Sequence, residues 1–207
     1  YEEMLEMSSL GAKVMQPISI QDAMINDINI NVKSSFKNIK GTTISNKQNF
    51  SNKNIITGIA FTKNEAKITI VGVTDRPGIA ASIFKPLADN QINVDMVVQT
   101  SSPDGGQTDI TFTIVKDDVK NCIKILKENK KISYKKIIHN DKVSKVSIIG
   151  AGMITTPGIT YRMFKALAKK NINIMAISTS EIKISVIINQ KNIKEAIKVL
   201  HKEFDLD

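Results

Sequence analysis

The stretch KITIVGVTDRPGIAASIFKPLADNQINVDMV, residues 67–97, lines up with KVSIIGAGMITTPGITYRMFKALAKKNINIMAI, residues 145–177. Lys67, Gly72, Pro77, Gly78, Phe84, Leu87, Ala88, Ile92 and Asn93 recur as Lys145, Gly150, Pro157, Gly158, Phe164, Leu167, Ala168, Ile172 and Asn173. The second copy has two extra residues between its glycine and its proline. Self-similarity over this span implies two copies of one supersecondary unit.

In the first copy, alternating apolar residues at 67–73 predict a strand. The Pro-Gly turn opens a helix at about 78–90, where Ile79, Ile83, Phe84 and Leu87 share one face. Strands at 93–100 and 108–115 flank the turn-forming SSPDGGQ. Asp117 and Asp118 stand where acidic residues favour a helix start, ahead of Val119, Cys122, Ile123 and Leu126 at helical spacing. YKKIIHN, 134–140, closes a βαββαβ unit, the ferredoxin-like order of four antiparallel strands with two helices on one face. The second copy predicts a strand at 145–150, a helix at 158–170, strands at 173–179 and 182–188 and a helix at 192–203, but no fourth strand. ITGIAFTK, 56–63, is a strand without a partner of its own. It is expected to complete the second sheet, which otherwise has an unpaired edge, so the first module is inserted in the second.

A chain of 207 residues with 42% hydrophobic and 24% charged residues can bury a core, and it has no apolar run long enough for a bilayer. It begins with Tyr1 and carries no basic-then-apolar leader, so the expectation is a piece of a longer, cytoplasmic protein. The lone Cys122 excludes a disulfide framework, a zinc knuckle and a CxxC redox pair, and its apolar helical face makes it a core residue. The net charge of +9 invites a nucleic-acid reading, but Arg76 and Arg162 are the only arginines and the lysines are scattered. Arginine's planar fork is what reads guanine or phosphate bidentately. His139 and His201 are isolated, and no Gly-rich phosphate loop, metal cluster or triad order is present. Residues 1–54 differ in texture. YEEMLEMSSLGAK and SIQDAMINDINI predict short helices, with Glu2-Glu3 as helix-start charges; INVKSSF predicts a strand and KNIKGTTISNKQNFSNKN, 37–54, a polar linker.

Asp75-Arg76-Pro77-Gly78, between a strand and a helix, has the makings of a site. Pro77 fixes the helix entry, Gly78 lets a ligand approach the backbone, and free N–H groups of the first turn attract a carboxylate. Asp75 supplies a counter-charge for an ammonium group, so the pair suits a free amino acid. A tight turn without a ligand is the competing explanation. The second copy has Thr156-Pro157-Gly158 and no aspartate at the matching place, so the two loops are expected to bind unequally.

The turn GVTDRPG, with INVDMVVQ, TDITFT, VSIIGAGM, PGIT and NINIMAISTSEIKISVII, resembles the paired ACT domains of the aspartate kinase family. YEEMLEMSSLGAKVMQPISIQDAM, VKSSF and GTTI resemble the end of that family's catalytic domain. The resemblance implies an α+β fold: two ferredoxin-like ACT modules, the first inserted in the second, after a remnant of an α/β kinase domain. The first module takes 64–141, the second 55–63 plus 142–207, and the catalytic tail with its linker 1–48. The family moves the γ-phosphate of ATP to the side-chain carboxylate of aspartate, toward lysine, threonine and methionine, and its ACT pair senses end products. ATP and Mg²⁺ are expected for a catalytic domain upstream of Tyr1, so this fragment is not expected to catalyse.

By the same resemblance, effector contacts fall on Asp75, Arg76, Pro77, Gly78, Ile79, Ala80, Asn93, Val94, Asp95, Gln99, Ile159, Thr160, Asn173, Ile174, Ser180 and Glu181. The implied partners are free threonine and lysine, a second copy bound through the ACT modules, and a catalytic domain or subunit; no nucleic acid or membrane is expected. The slightly short loop 100–108 is a departure that bears on contacts around Ser101 and Ser102. Two alternatives share the element order or the regulatory role: an RNA-binding module, and a free amino-acid-binding regulatory subunit. RNA binding needs aromatic residues on the central strands; TDITFTIV offers only Phe112 and KISVIIN none. A ferredoxin-like heavy-metal domain would need CxxC where this chain has DRPG and TTPG.

Overall fold

Apolar and polar residues alternate on both sides of Lys63-Asn64-Glu65, and the backbone stays extended through all three. The computed structural model describes residues 1–46, 55–101 and 105–206. Its elements run α1 Glu2–Ser9, α2 Pro17–Ile25, β1 Ile30–Val32, β2 Thr42–Ile44, β3 Gly58–Thr74, α3 Ile79–Asp89, β4 Asp95–Ser101, β5 Gln107–Ile114, α4 Val119–Glu128, β6 Lys136–Ile149, α5 Ile159–Ala168, β7 Ile174–Thr179, β8 Lys183–Asn189 and α6 Ile193–Glu203. The expected orphan strand and the first strand of the first repeat are thus one strand, β3. The last strand of the first repeat and the first of the second are likewise one, β6. Both boundaries expected from the sequence, 63/64 and 141/142, fall inside these continuous strands.

The sheet has six strands in the order β4-β5-β3-β6-β8-β7. Its first four form one ferredoxin-like unit and its last four the other, with β3 and β6 shared. Gly58 to Thr62 lies antiparallel to Ile149 to Lys145, so the expected orphan strand does complete the second unit. Register shifts between Thr62 and Glu65 and between Glu65 and Lys67 mark the crossing, where extra residues bend and twist paired strands. In the first half Ile68, Ile70, Ile110 and Phe112 pack under Ile83 and Leu87 of α3 and Cys122 and Leu126 of α4. In the second, Val146, Ile148, Val186 and Ile188 pack under Met163 and Leu167 of α5 and Ile193 and Leu200 of α6.

The outermost strands β4 and β7 belong to opposite ends of the order, yet they approach each other. Met96, Val143 and Ile187, with Met175 and Ala176, fill the space between the halves, so the sheet is curled rather than flat. At this crossing Lys145 of β6 is only 6% exposed. Its Nζ lies 2.9 Å from Glu65 Oε1 and 2.6 Å from Asp95 Oδ2. Glu65, 7% exposed, and Asp95 come from the first half, while Lys145 belongs to the second repeat. The backbone N–H of Met96 donates to the other Asp95 oxygen, and the Thr113 hydroxyl donates to the Asp95 carbonyl. A lysine isolated at this depth would lose its charge; two carboxylates keep it.

The N-terminal residues differ from expectation in one respect. The strand read in INVKSSF is confined to β1, and the stretch 37–54, read as a linker, contains β2, which pairs with it. Thr43 Oγ1 donates to Asn31 Oδ1 across this ribbon. Residues 47–54 of the linker and 102–104 of the SSPDGGQ turn lie outside the described residues. Ile20, Ala23 and Ile44 are buried within this segment, and Leu10 is buried on Ala60 and Ile149 of the second half.

Burial opposes the charge on Lys145, but Glu65 and Asp95 outweigh it and hold the ammonium above its ordinary 10.5. Burial also opposes the Asp95 carboxylate, but the hydrogen bond and charge of Lys145 and the Met96 N–H hold it below its ordinary 3.8. A group with a raised folded pKa contributes fully below its unfolded value and loses that contribution as pH rises; for a lowered one the direction reverses. The triad therefore supports folding between about pH 4 and 10.5 and weakens outside that window. Asp95→Asn should flatten the loss of stability below about pH 4, measured by urea unfolding across pH; an unchanged acid limb would contradict this. Lys145→Ala leaves Glu65 buried and unpaired, so it should cost about 3–5 kcal/mol at neutral pH. A loss under about 1 kcal/mol would mean the carboxylates find water instead.

Candidate functional site

The first repeat's turn follows β3 directly. Gly72 sits at φ 66, and its N–H donates to Asp109 Oδ1 at 2.8 Å. The chain then leaves the sheet with Asp75 N–H on the Gly106 carbonyl and the Arg76 guanidinium on the Lys131 carbonyl. Gly78 caps α3 in the left-handed region at φ 84, and a side chain built there would meet nothing within 4 Å. The backbone is thus bare on its outer side. The Ile79 and Ser82 amides are accepted by Arg76 and Gly78, whereas those of Ala80 and Ala81 have no acceptor among the described residues.

Asp75, Arg76, Pro77, Gly78, Ile79, Ala80 and Gln99 line one open cleft of about 440 Å³, within the roughly 300–1,000 Å³ of small-molecule sites. Asp75, the start of α3 with the unaccepted Ala80 amide, and Gln99 thus border one space. The second repeat builds a comparable cleft of about 450 Å³. Its lining includes Pro157, Gly158, Ile159 and Thr160 on one side and Thr179, Ser180 and Glu181 on the other, with Met153 and Ile154 beside them. Gly158 repeats the left-handed cap at φ 90. The loop lacks an aspartate, but Glu181 from the β7–β8 turn brings a carboxylate to the same cleft.

The remaining expected contacts separate. Asn93 and Val94 line a third groove with Phe84, Ala88 and Val97. Asp95 is committed to Lys145. Asn173 is exposed, and half-buried Ile174 packs on the second core; neither lines a cleft described here. Sequence reasoning matched Lys145 to Lys67 in the repeat but gave neither it nor Glu65 a role, since a lysine at a strand start reads as solvated. Glu3 does stand in the first turn of α1, as expected, but nothing in the sequence shows that its carboxylate also accepts from Thr57 Oγ1 and the Ala151 N–H. Cys122 lies in the first core, and burial, with Asp118 nearby, pushes its thiol up to about 12. It is no nucleophile.

The family model for the ACT domain matches residues 68–129 and 146–204. Aspartokinase of Pseudomonas aeruginosa is 44% identical over 210 residues, covering 100% of this chain and 51% of that protein. The chain therefore spans about half the length of the curated relatives it matches. The ligand-free regulatory subunit of aspartate kinase from Thermus thermophilus aligns with TM-score 0.67 and 36% identity, over 72% of this chain and 99% of that one. Aspartate kinase from Clostridium acetobutylicum aligns with TM-score 0.84 and 28% identity, over 99% of this chain and 48% of that one. The repeat, the curled six-stranded sheet and these matches agree: the chain belongs to the aspartate kinase family and holds its regulatory region, a pair of ACT domains.

Proposed function

We propose that this region binds end-product amino acids, lysine or threonine or both, and through them controls phosphorylation of L-aspartate by ATP in lysine, threonine and methionine biosynthesis. The observation that carries this reading is the first cleft, where Asp75, the free amides at the start of α3 and Gln99 face one space. A carboxylate for the ammonium and amides for the α-carboxylate are what a free amino acid requires. The phosphotransfer, with its ATP and Mg²⁺, belongs in this reading to the other half of such a protein. Among the described residues no group of three His, Cys, Asp or Glu is placed to hold a metal ion. Exposed Val14, Ile18, Ile25, Ile28, Phe36 and Ile39 on the N-terminal segment support a catalytic domain or subunit packing there. The proposed setting is the cytoplasm.

A homodimer through the ACT modules is part of the proposal. Both outer strands, β4 and β7, have one paired edge each, and each exposes an apolar residue at the equivalent place, Val97 and Ile177. A second copy would cover these edges and the groove of Asn93 and Val94. Sedimentation with amino acid present should give a dimer; a single 22.9 kDa species at micromolar concentration would contradict it.

Ligand linkage tests the cleft. An amino acid at about 100 times its dissociation constant adds about 2.7 kcal/mol, and each kcal/mol moves the midpoint of a chain this long by about 2–4 °C. L-Threonine or L-lysine should therefore raise the melting midpoint by roughly 5–10 °C, and their decarboxylated amines should not. Asp75→Ala should abolish most of the rise while leaving the unliganded midpoint nearly unchanged, because Asp75 is exposed. An equal rise in that variant, or none with any of the twenty amino acids, would leave the turn a turn.

A further inference from the structure

Helix α1 lies across the second half of the sheet and grips it at several points. Glu3 Oε1 accepts from Thr57 Oγ1 at 3.1 Å and from the Ala151 N–H at 2.8 Å. On the next turn Glu6 Oε2 pairs with Lys183 Nζ at 2.9 Å, both side chains half-buried. Met7 lies against Gly58, where a side chain would collide with it, and Leu10 is buried on Ala60 and Ile149.

The two polar grips, on Ala151 and Lys183, fall next in the chain to the residues that form two walls of the second cleft. Ala151 opens the short 3-10 turn Ala151–Ile154, whose Met153 and Ile154 line one wall. Lys183 stands between Glu181 and Ile184 of the other wall, and its carbonyl closes the turn by accepting from the Ser180 N–H. The walls meet where the Gly150 N–H donates to the Ile182 carbonyl. Residues three apart on a helix share a face, so one rigid element holds both walls through charge-assisted bonds. The first cleft is built otherwise: its turn is fastened to Gly106 and Lys131 of its own module.

We propose that Glu3 and Glu6 are positioning residues of the second cleft and that α1 is its relay to the N-terminal segment. A ligand that draws the walls together or spreads them must strain or relieve these bonds, and a displacement of α1 must reshape the cleft in return, because coupling is reciprocal. Among the described residues no hydrogen bond or ion pair joins the lining of the first cleft to α1. The relay rests on the reading of the second cleft as an amino-acid site.

Amide hydrogen exchange and calorimetry on this chain, with L-lysine and L-threonine as probes, test it. The amino acid that protects 151–158 and 180–184 should also change exchange of the α1 amides, and Glu6→Gln should weaken its binding about three- to tenfold. The charge exchange Glu6→Lys with Lys183→Glu should restore most of that affinity, which a purely structural role for the pair would not require. Protected walls with unaltered α1 exchange, and equal affinity in Glu6→Gln, overturn the relay while leaving the amino-acid reading intact. If neither amino acid gives heat or protection, that reading falls, and the unliganded protein still decides the relay. Glu3→Gln combined with Glu6→Gln should then speed exchange at 151–154 and 180–184 about tenfold, with 67–74 unchanged; exchange equal to wild type overturns it.

Discussion

Lys145 governs the shape of this molecule. Its ammonium is buried where two shared strands cross, and it keeps its charge because Glu65 and Asp95 of the first half reach it from either side. Pairing alone would leave β3 and β6 free to run flat. The triad, together with Met96, Val143 and Ile187, instead draws β4 toward β7 and curls the sheet. An ion triad in this setting need not add net stability over apolar packing, but it does fix one arrangement, since any other leaves a charge buried alone.

That arrangement places the two Pro-Gly turns in different surroundings. The first cleft takes its carboxylate from the turn itself, at Asp75, while the second takes Glu181 from the hairpin opposite. The first is fastened within its module, and the second is gripped by α1. Two copies of one supersecondary unit thus carry two clefts with similar helix starts and different carboxylates in their linings. If both clefts take amino acids as proposed, such a pair can respond differently to two small ligands while sharing one frame.

Much of this was legible in the sequence. Nine matched positions showed the repeat, the apolar spacing of α3, α4, α5 and α6 gave each helix its buried face, and the missing fourth strand pointed to 56–63. The fusion of strands was not legible, because Lys63-Asn64-Glu65 breaks the apolar alternation as a loop would, while in the fold Glu65 points to a buried lysine. Nor does β2 announce itself: a three-residue edge of Thr-Thr-Ile within polar sequence has no periodicity to read. Glu181 entered by family resemblance alone, since nothing local to the β7–β8 turn says that it faces the helix start of α5. Contacts between residues as distant as Glu3 and Ala151 depend on how elements pack, which composition and spacing do not encode.

The central claim is that the first Pro-Gly turn is half of an amino-acid receptor. Crystals of the chain grown with L-threonine and L-lysine would test it most directly. The account predicts electron density for one α-amino acid in the cleft of Asp75 and Gln99, its ammonium within hydrogen-bond distance of Asp75 and its carboxylate on the Ala80 and Ala81 amides. Density for the bound amino acid elsewhere, with only water at that turn, would contradict it.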